Sequence, residues 1–187
     1  GTCYFTSNDR NIQQVPKPTL NVSGPTTVCY NAPVILTAGG ATSFTWTTAA
    51  GTTTTNFLSF TPTTLVAYVL SGSSINDCKA IYNGTVDVKP DVNATITYDK
   101  NFLCKSQSAN LTASGGTSYT WSTGETSPSI VVTQTSSTAQ VYNVNVTKAD
   151  GCSKSVSFIT NYNDKCKEVV VIKGITPNSD GENDQLY

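Results

Sequence analysis

Apolar and polar residues alternate in short stretches along most of the chain, and glycine-containing turns separate these stretches. In VYNVNVTK, which begins at residue 141, the side chains of Tyr142, Val144 and Val146 alternate with those of the opposite face. A period of two is typical of a strand with one solvated face. Gly39-Gly40 supplies one of the intervening turn signals. The pattern therefore predicts a protein built of strands.

One long pattern occurs twice. The stretch VCYNAPVILTAGGATSFTW at 28–46 recurs as LCKSQSANLTASGGTSYTW at 103–121, an offset of 75 positions. A constant offset of this kind indicates an internal repeat, in which each copy is one folding unit. Cys3 lies 75 positions before Cys78, so we interpret residues 1–17 as the tail of a preceding copy and a linker.

Each copy is predicted to be an immunoglobulin-like antiparallel β-sandwich, so the fold class is all-β with tandem sandwiches. Six or seven short strands per copy, with turns every 8 to 12 residues, are typical of this architecture. The expected domains are 18–90 and 91–165, and 166–187 would be a linker and the start of another domain. The predicted strands are 19–23, 34–38, 43–48, 56–61, 66–71 and 79–88, then 93–98, 109–114, 118–122, 129–133, 140–147 and 153–160.

Trp46 and Trp121 lie on the third predicted strand of their copies, where sandwiches of this type keep a core tryptophan. The aromatic residue two positions earlier, in FTW and YTW, lies on the same face of the strand. Burying a tryptophan contributes up to about 5 kcal/mol. The alternative is an exposed aromatic ring that stacks on a sugar.

Composition excludes several functions. Charged residues make up 12 % of the chain and the net charge is −1, so the basic stripe of a nucleic-acid-binding protein is missing. The chain contains no stretch of 18 uninterrupted apolar residues, so the sequence does not predict a membrane-spanning helix. The chain has no histidine, which excludes imidazole general-base catalysis. Glu125 and Asp150 lie on separate predicted turns and make a poor glycosidase pair, so we expect neither enzymatic activity nor a cofactor.

Six cysteines without histidine favour disulfides formed outside the cytoplasm over a zinc site. One bridge per copy, Cys29–Cys78 and Cys104–Cys152, suits the sequence separations and would contribute roughly 4 kcal/mol each. In a standard sandwich, however, Cys29 and Cys78 lie at opposite ends, whereas bridged Cα atoms must come within about 7 Å.

The alternative pairing links Cys29 to Cys152 across the junction of the copies and Cys104 to Cys166. We expect Cys3 to be unpaired, and Cys166 has no counterpart in the first copy. The sequence leaves the choice between the two pairings open.

The end of the chain carries a family resemblance. ITPNSDGEND resembles the TPNGDGxND signature that opens the gliding-motility-associated C-terminal domain, the type B sorting domain of substrates of the Bacteroidetes type IX secretion system. Ser179 replaces the usual glycine, and the chain stops at Tyr187, so we do not expect a working sorting domain in this fragment. The matching residues are Thr176, Pro177, Asn178, Asp180, Gly181, Asn183 and Asp184.

The cysteine-bounded copies resemble the immunoglobulin-like or PKD-like modules that stand in tandem before that domain in giant SprB-like adhesins of gliding bacteria. The resemblance implies a protein held at the outer membrane on the cell surface. It also implies two partners, the type IX translocon and an outer-membrane protein of the PorP/SprF-like family.

Asn178, Asp180 and Asp184 also resemble half of a calcium loop, in which oxygen ligands alternate around a glycine. The bidentate glutamate that closes such loops is missing, and an Asx-rich turn without metal is the alternative.

Three functions follow from these interpretations: a stalk of a surface adhesin, a polysaccharide-binding module that uses threonine-rich loops or an exposed tryptophan, and an accessory array of a surface enzyme.

Overall fold

A computed structural model describes residues 2–6, 12–75 and 77–163, which form strands and turns and contain no helix. The strands are β1 Thr2–Thr6, β2 Ile12–Pro16, β3 Asn21–Ser23, β4 Thr27–Cys29, β5 Val34–Gly39, β6 Ser43–Thr48, β7 Gly51–Thr53, β8 Phe57–Phe60, β9 Val66–Ser73, β10 Lys79–Lys89, β11 Thr95–Tyr98, β12 Ser108–Ser114, β13 Ser118–Trp121, β14 Ser129–Thr133, β15 Val141–Thr147 and β16 Ser153–Ile159.

The first repeat is a sandwich of two sheets. One sheet has the order β4-β10-β9-β6-β7 and the other the order β3-β5-β8. Their pairs are antiparallel except for β4, which runs parallel to the end of β10. Along β5, Val34, Leu36 and Ala38 are buried while the intervening residues are exposed. The alternating pattern of the sequence thus places one face of each sheet in a shared core.

The second repeat is also a sandwich of two sheets, one in the order β11-β12-β14 and another in the order β13-β15-β16, and its described residues show no counterpart of β4 or β7. Ala109, Leu111 and Ala113 of β12 are buried, 75 positions after their counterparts on β5. The protein is therefore all-β, with tandem immunoglobulin-like sandwiches as the sequence predicts.

Both tryptophans lie in the cores. Trp46 is 0 % exposed and Trp121 is 2 % exposed, which leaves neither ring a face for a sugar. Each indole N–H donates to a backbone carbonyl, Trp46 Nε1 to Thr55 at 3.0 Å and Trp121 Nε1 to Ser127 at 2.9 Å. A buried indole N–H needs such a partner, and the segment after each Trp-bearing strand provides one.

The contacts divide the described residues into two compact units. Unit 1 holds the residues up to Asn93 together with two turns of the second repeat, 115–117 and 147–154. Unit 2 holds the remainder of the second repeat. The described part of the predicted tail forms a hairpin of unit 1, in which β1 pairs antiparallel with β2.

Candidate functional site

One candidate site in unit 1 is a covalently anchored turn, residues 147–154, which joins β15 to β16. Cys152 forms a disulfide with Cys29, the last residue of β4, with their Cα atoms 5.6 Å apart. The bridge closes a loop of 123 residues. In the chain-entropy model, closing a loop of that length stabilises the folded state by about 5 kcal/mol.

Polar contacts hold the same turn to the end of β10. Lys89, the register partner of Cys29, donates from Nζ to the backbone carbonyl of Asp150. Lys154 Nζ lies 2.7 Å from Asp91 Oδ2, and both side chains are partly exposed. An exposed ion pair is worth at most about 1 kcal/mol, so the disulfide dominates the attachment.

Local hydrogen bonds shape the anchored turn. The backbone N–H of Cys152 donates to Asp150 Oδ1 at 3.0 Å, and that of Gly151 to the carbonyl of Lys148 at 3.0 Å. Gly151 has a φ of 86°, a left-handed conformation that glycine adopts without strain. Asp150 was considered above as one carboxylate of a glycosidase pair. Its side chain accepts a hydrogen bond within the turn and stabilises the turn.

A second disulfide of unit 1 joins Cys3 on β1 to Cys78, the residue before β10, with Cα atoms 5.8 Å apart. The prediction that Cys3 is unpaired was wrong. It assumed a partner upstream of the chain, whereas the first strand of the hairpin carries Cys3 to the start of β10.

The one-per-copy pairing of Cys29 with Cys78 and of Cys104 with Cys152 is also wrong. Cys29 pairs in register with Lys89 at the end of β10, while Cys78 precedes its first residue. Eleven residues of strand separate the two by about 33 Å, far beyond the reach of a disulfide. The junction alternative, Cys29–Cys152, is correct.

Cys104 follows Leu103, which bridges Tyr162 beyond the end of β16, whereas Cys152 lies before the start of β16. The same separation along a strand therefore prevents their pairing. Cys104 is itself in a disulfide. Cys166 lies outside the described residues, so the Cys104–Cys166 pairing stays a prediction.

A second candidate site is an uncharged cleft in unit 1, which we call the threonine cleft. The β6–β7 turn with β7, at 48–53, and the segment 58–67 enclose about 720 Å³. Six threonines and a serine line it, and residues 48–67 include no charged residue. Leu65, on its rim, is 58 % exposed. The cleft therefore suits a neutral ligand that offers both hydroxyl groups and an apolar face.

Two exposed carboxylates have perturbed pKa values. Asp99 accepts from the backbone N–H of Asn110 at 2.9 Å and from its Nδ2 at 2.7 Å, and these bonds hold the pKa of Asp99 below its usual value. The Thr123 hydroxyl lowers the pKa of Glu125 in the same way. A glycosidase acid needs the opposite shift.

Several predicted sites fall outside the described residues. They are the sorting signature at 176–184 and the calcium ligands Asn178, Asp180 and Asp184. Within the described ranges, no group of three or more His, Cys, Asp or Glu side chains could hold a metal ion. In that same part of the chain, no helix has the length and apolarity to cross a membrane.

Comparison with known proteins finds likenesses among solved structures. No family model and no curated protein matches the chain. Among solved structures, fibronectin(III)-like modules of Clostridium thermocellum CbhA match 77 % of this chain and 95 % of theirs, with 9 % identity and a TM-score of 0.37. A calcium-stabilised adhesin with which an Antarctic bacterium binds ice matches 87 % of this chain, with 14 % identity and a TM-score of 0.39.

A third structure comes from a 1.5-MDa bacterial ice-binding adhesin and matches 79 % of this chain, with 11 % identity and a TM-score of 0.35. The chain spans 56 % and 66 % of the two adhesin structures. At TM-scores this low, the three likenesses carry no functional argument.

Proposed function

We propose that the two repeats form part of the stalk of a large secreted adhesin, exported by a type IX secretion system in a gliding bacterium and held at the outer membrane. The observation that carries the proposal is the disulfide between Cys29 of the first repeat and Cys152 of the second. A covalent tie between successive repeats is expected where a protein is pulled, and disulfides persist outside the cytoplasm.

The partners of this proposal come from the resemblance of residues 175–184 to a sorting-domain signature. The type IX translocon would export the parent protein, and a PorP/SprF-like outer-membrane protein would retain it. The proposal gives the described residues a structural role and assigns them no catalytic step.

Surface labelling tests the proposal in the bacterium that encodes the protein. An antibody raised against residues 1–163 is expected to label intact cells, and inactivating the type IX translocon is expected to abolish that labelling. Deletion of the gene is expected to weaken attachment and gliding. A cytoplasmic protein with reduced cysteines would overturn export, and surface labelling that persists without the translocon would overturn the assigned route.

A second candidate function is the binding of a neutral polysaccharide in the threonine cleft. The hydroxyl-lined and uncharged walls of the cleft favour it, together with exposed Leu65 on the rim. A sugar ring has hydroxyl edges that hydrogen-bond threonine and a C–H face that packs on an aliphatic side chain. Trp121 is buried, so the cleft takes the place of the tryptophan as the candidate binding element.

Glycan-array binding with matched variants tests this second candidate. We expect Leu65→Asp to lower the affinity for neutral oligosaccharides at least tenfold. Ile35→Asp is the control, because Ile35 is equally exposed on β5 and lies outside the cleft. Equal losses in the two variants, or no binding by the parent protein at millimolar glycan, would overturn the assignment.

A further inference from the structure

The two described disulfides overlap along the chain. Cys29 lies inside the 75-residue loop that Cys3–Cys78 closes, and Cys78 lies inside the 123-residue loop that Cys29–Cys152 closes. Overlapping loops create more than one covalent route between the two ends of unit 1. Tension on the chain is carried by the shortest of these routes once that route is taut.

We propose that these bridges act as a force bypass, which carries tension through residues 3–29 and then across the Cys29–Cys152 bridge. Positions 3 to 29 comprise 26 steps of backbone, whereas positions 3 to 152 comprise 149. At up to about 3.6 Å per residue, the bypass limits the stretch from Cys3 to Cys152 to about 94 Å instead of about 540 Å.

The bypass runs through strands that make short pairings. Segment 3–29 contains most of the β1–β2 hairpin, then β3 and β4. Strand β3 makes three register pairs with β5, and β4 makes three with β10. By contrast, the β9–β10 pairing has eight pairs and lies inside the bridged loop. Tension therefore detaches short strands first and leaves the long central pairing unstretched.

The Cys3–Cys78 bridge has a different role in the force bypass. With Cys29–Cys152 intact, the shortest route from Cys3 to Cys152 is 26 residues whether or not the second bridge is present. Without Cys29–Cys152, the route runs across Cys3–Cys78 and then along 74 residues to Cys152. The second bridge is thus a backup that limits the stretch to about 270 Å.

Single-molecule pulling between handles on Gly1 and Tyr187 tests the bypass. All proteins in the series carry Cys104→Ser and Cys166→Ser, so that only the four cysteines of the described bridges remain. Residues 153–187 extend equally in every member of the series. Differences in final extension therefore report the route from Cys3 to Cys152.

The expected order of extension is specific. The parent and the Cys3→Ser/Cys78→Ser variant should reach the same limit, and Cys29→Ser/Cys152→Ser should extend about 170 Å further. The variant without all four cysteines, or the parent with reductant in the chamber, should extend about 440 Å beyond the parent. The limits depend on covalent topology, so they hold for a variant that fails to fold.

Two results would overturn the proposal. One is an oxidised parent that extends as far as the reduced parent. The other is a Cys29→Ser/Cys152→Ser variant that reaches only the limit of the parent. The bypass is a property of unit 1 and stands whether or not the parent protein is an adhesin, whose surface labelling is a separate test.

Discussion

The two repeats keep the same frame but fill it differently. In the first repeat, Gly84 of β10 pairs with Tyr68 of β9, and a Cβ on Gly84 would come within 2.3 Å of the Tyr68 ring. In the second repeat, the position 74 residues later is Phe158, whose ring centroid lies 5.0 Å from that of Tyr98. By strand register the equivalent of Tyr98 in the first repeat is Gly24, because Ser23 pairs with Thr37 and Thr97 pairs with Thr112, 75 positions later. Two glycine positions of the first repeat thus carry aromatic rings in the second.

The strand end next to these positions also differs between the repeats. In the first repeat, Gly24 approaches the backbone of Ile35 so closely that a Cβ would lie 2.7 Å from its carbonyl oxygen. In the second repeat, Asn110 occupies the position of Ile35 and hydrogen-bonds Asp99, which follows the equivalent of Gly24 by one residue. A close backbone approach at this strand end in one repeat thus lies beside the position of a polar side-chain pair in the other.

The largest effect is expected from removing the core tryptophan, a feature that the two repeats share. Trp46→Ala and Trp121→Ala should each lower the free energy of unfolding by about 3–5 kcal/mol, because each empties a core of its largest side chain. Trp46→Phe and Trp121→Phe are the controls and should cost less, since they keep most of the volume. Chemical denaturation followed by hydrogen exchange of the mutated repeat measures the difference, because the remaining tryptophan lies in the other core. A loss below 1 kcal/mol at either position would contradict the equivalence of the two cores.

The second prediction tests the difference between the repeats at Gly84, where the second repeat has Phe158. Gly84→Ala should destabilise the first repeat by about 1–3 kcal/mol, because the added methyl group meets the Tyr68 ring. Thr85→Ala on the same strand is the control, because Thr85 is exposed, and should change stability by no more than about 0.5 kcal/mol. Thermal unfolding of both variants measures this. Equal effects would mean that the Tyr68 ring yields freely to a methyl group.

These exchanges explain how far the sequence predicts the fold. The period of two predicts twelve of the strands, most within two residues of their observed ends, because one-sided burial makes alternation visible. Of the other described strands, β1 and β2 lie in the residues interpreted as a tail and linker. Strands β4 and β7 have three residues each and too few alternations to show a period. The Cys29–Cys78 pairing was wrongly predicted because β4 was not recognised. The parallel pairing of β4 with the end of β10 places Cys29 far from Cys78.

The candidate sites were harder to predict. Lys89, Asp91 and Lys154 are ordinary exposed charges in the sequence, and only the tertiary fold brings them to the anchored turn. The threonine cleft joins two segments that are separately visible as threonine-rich, but their closure around a cavity depends on hairpin geometry. Core positions of the tryptophans follow from local pattern, while disulfide pairing depends on which strand ends meet.

A third prediction concerns a polar group present in the second repeat alone. Gln134 is fully buried, and its Nε2 donates to the carbonyls of Ser136 and Thr138, while its Oε1 accepts from Thr160. Asn31 and Ser106 are equivalent residues, 75 positions apart. The N–H of Asn31 donates to the carbonyl of Pro62, and the N–H of Ser106 donates to the carbonyl of Gln134. The first repeat therefore has a proline at the position where the second has Gln134.

Gln134→Ala should therefore destabilise the second repeat by about 1–3 kcal/mol, since it removes three hydrogen bonds, one of them the buried bond from the Thr160 hydroxyl. Ser137→Ala is the matched control on the same loop, because Ser137 is exposed. Hydrogen exchange of the 134–140 backbone should accelerate in Gln134→Ala and stay unchanged in the control. Slow exchange in both would show that the amide is dispensable.

The smallest expected effect depends on pH and again separates the repeats. Asp99 is exposed, and its bonds to Asn110 lower its pKa in the folded state below the unfolded value of about 3.9. A group of this kind stabilises the fold above the unfolded pKa, and the contribution is lost as the pH falls through the lower folded pKa. Thermal midpoints of the parent and of Asp99→Asn should therefore converge between about pH 4 and pH 2. By strand register the equivalent position in the first repeat is Pro25, which has no carboxylate, so Pro25→Ala should shift the midpoint by the same amount at every pH. If the difference in thermal midpoint between the parent and Asp99→Asn is constant with pH, the charge of Asp99 does not contribute to stability. The two repeats would then not differ in charge dependence at this position.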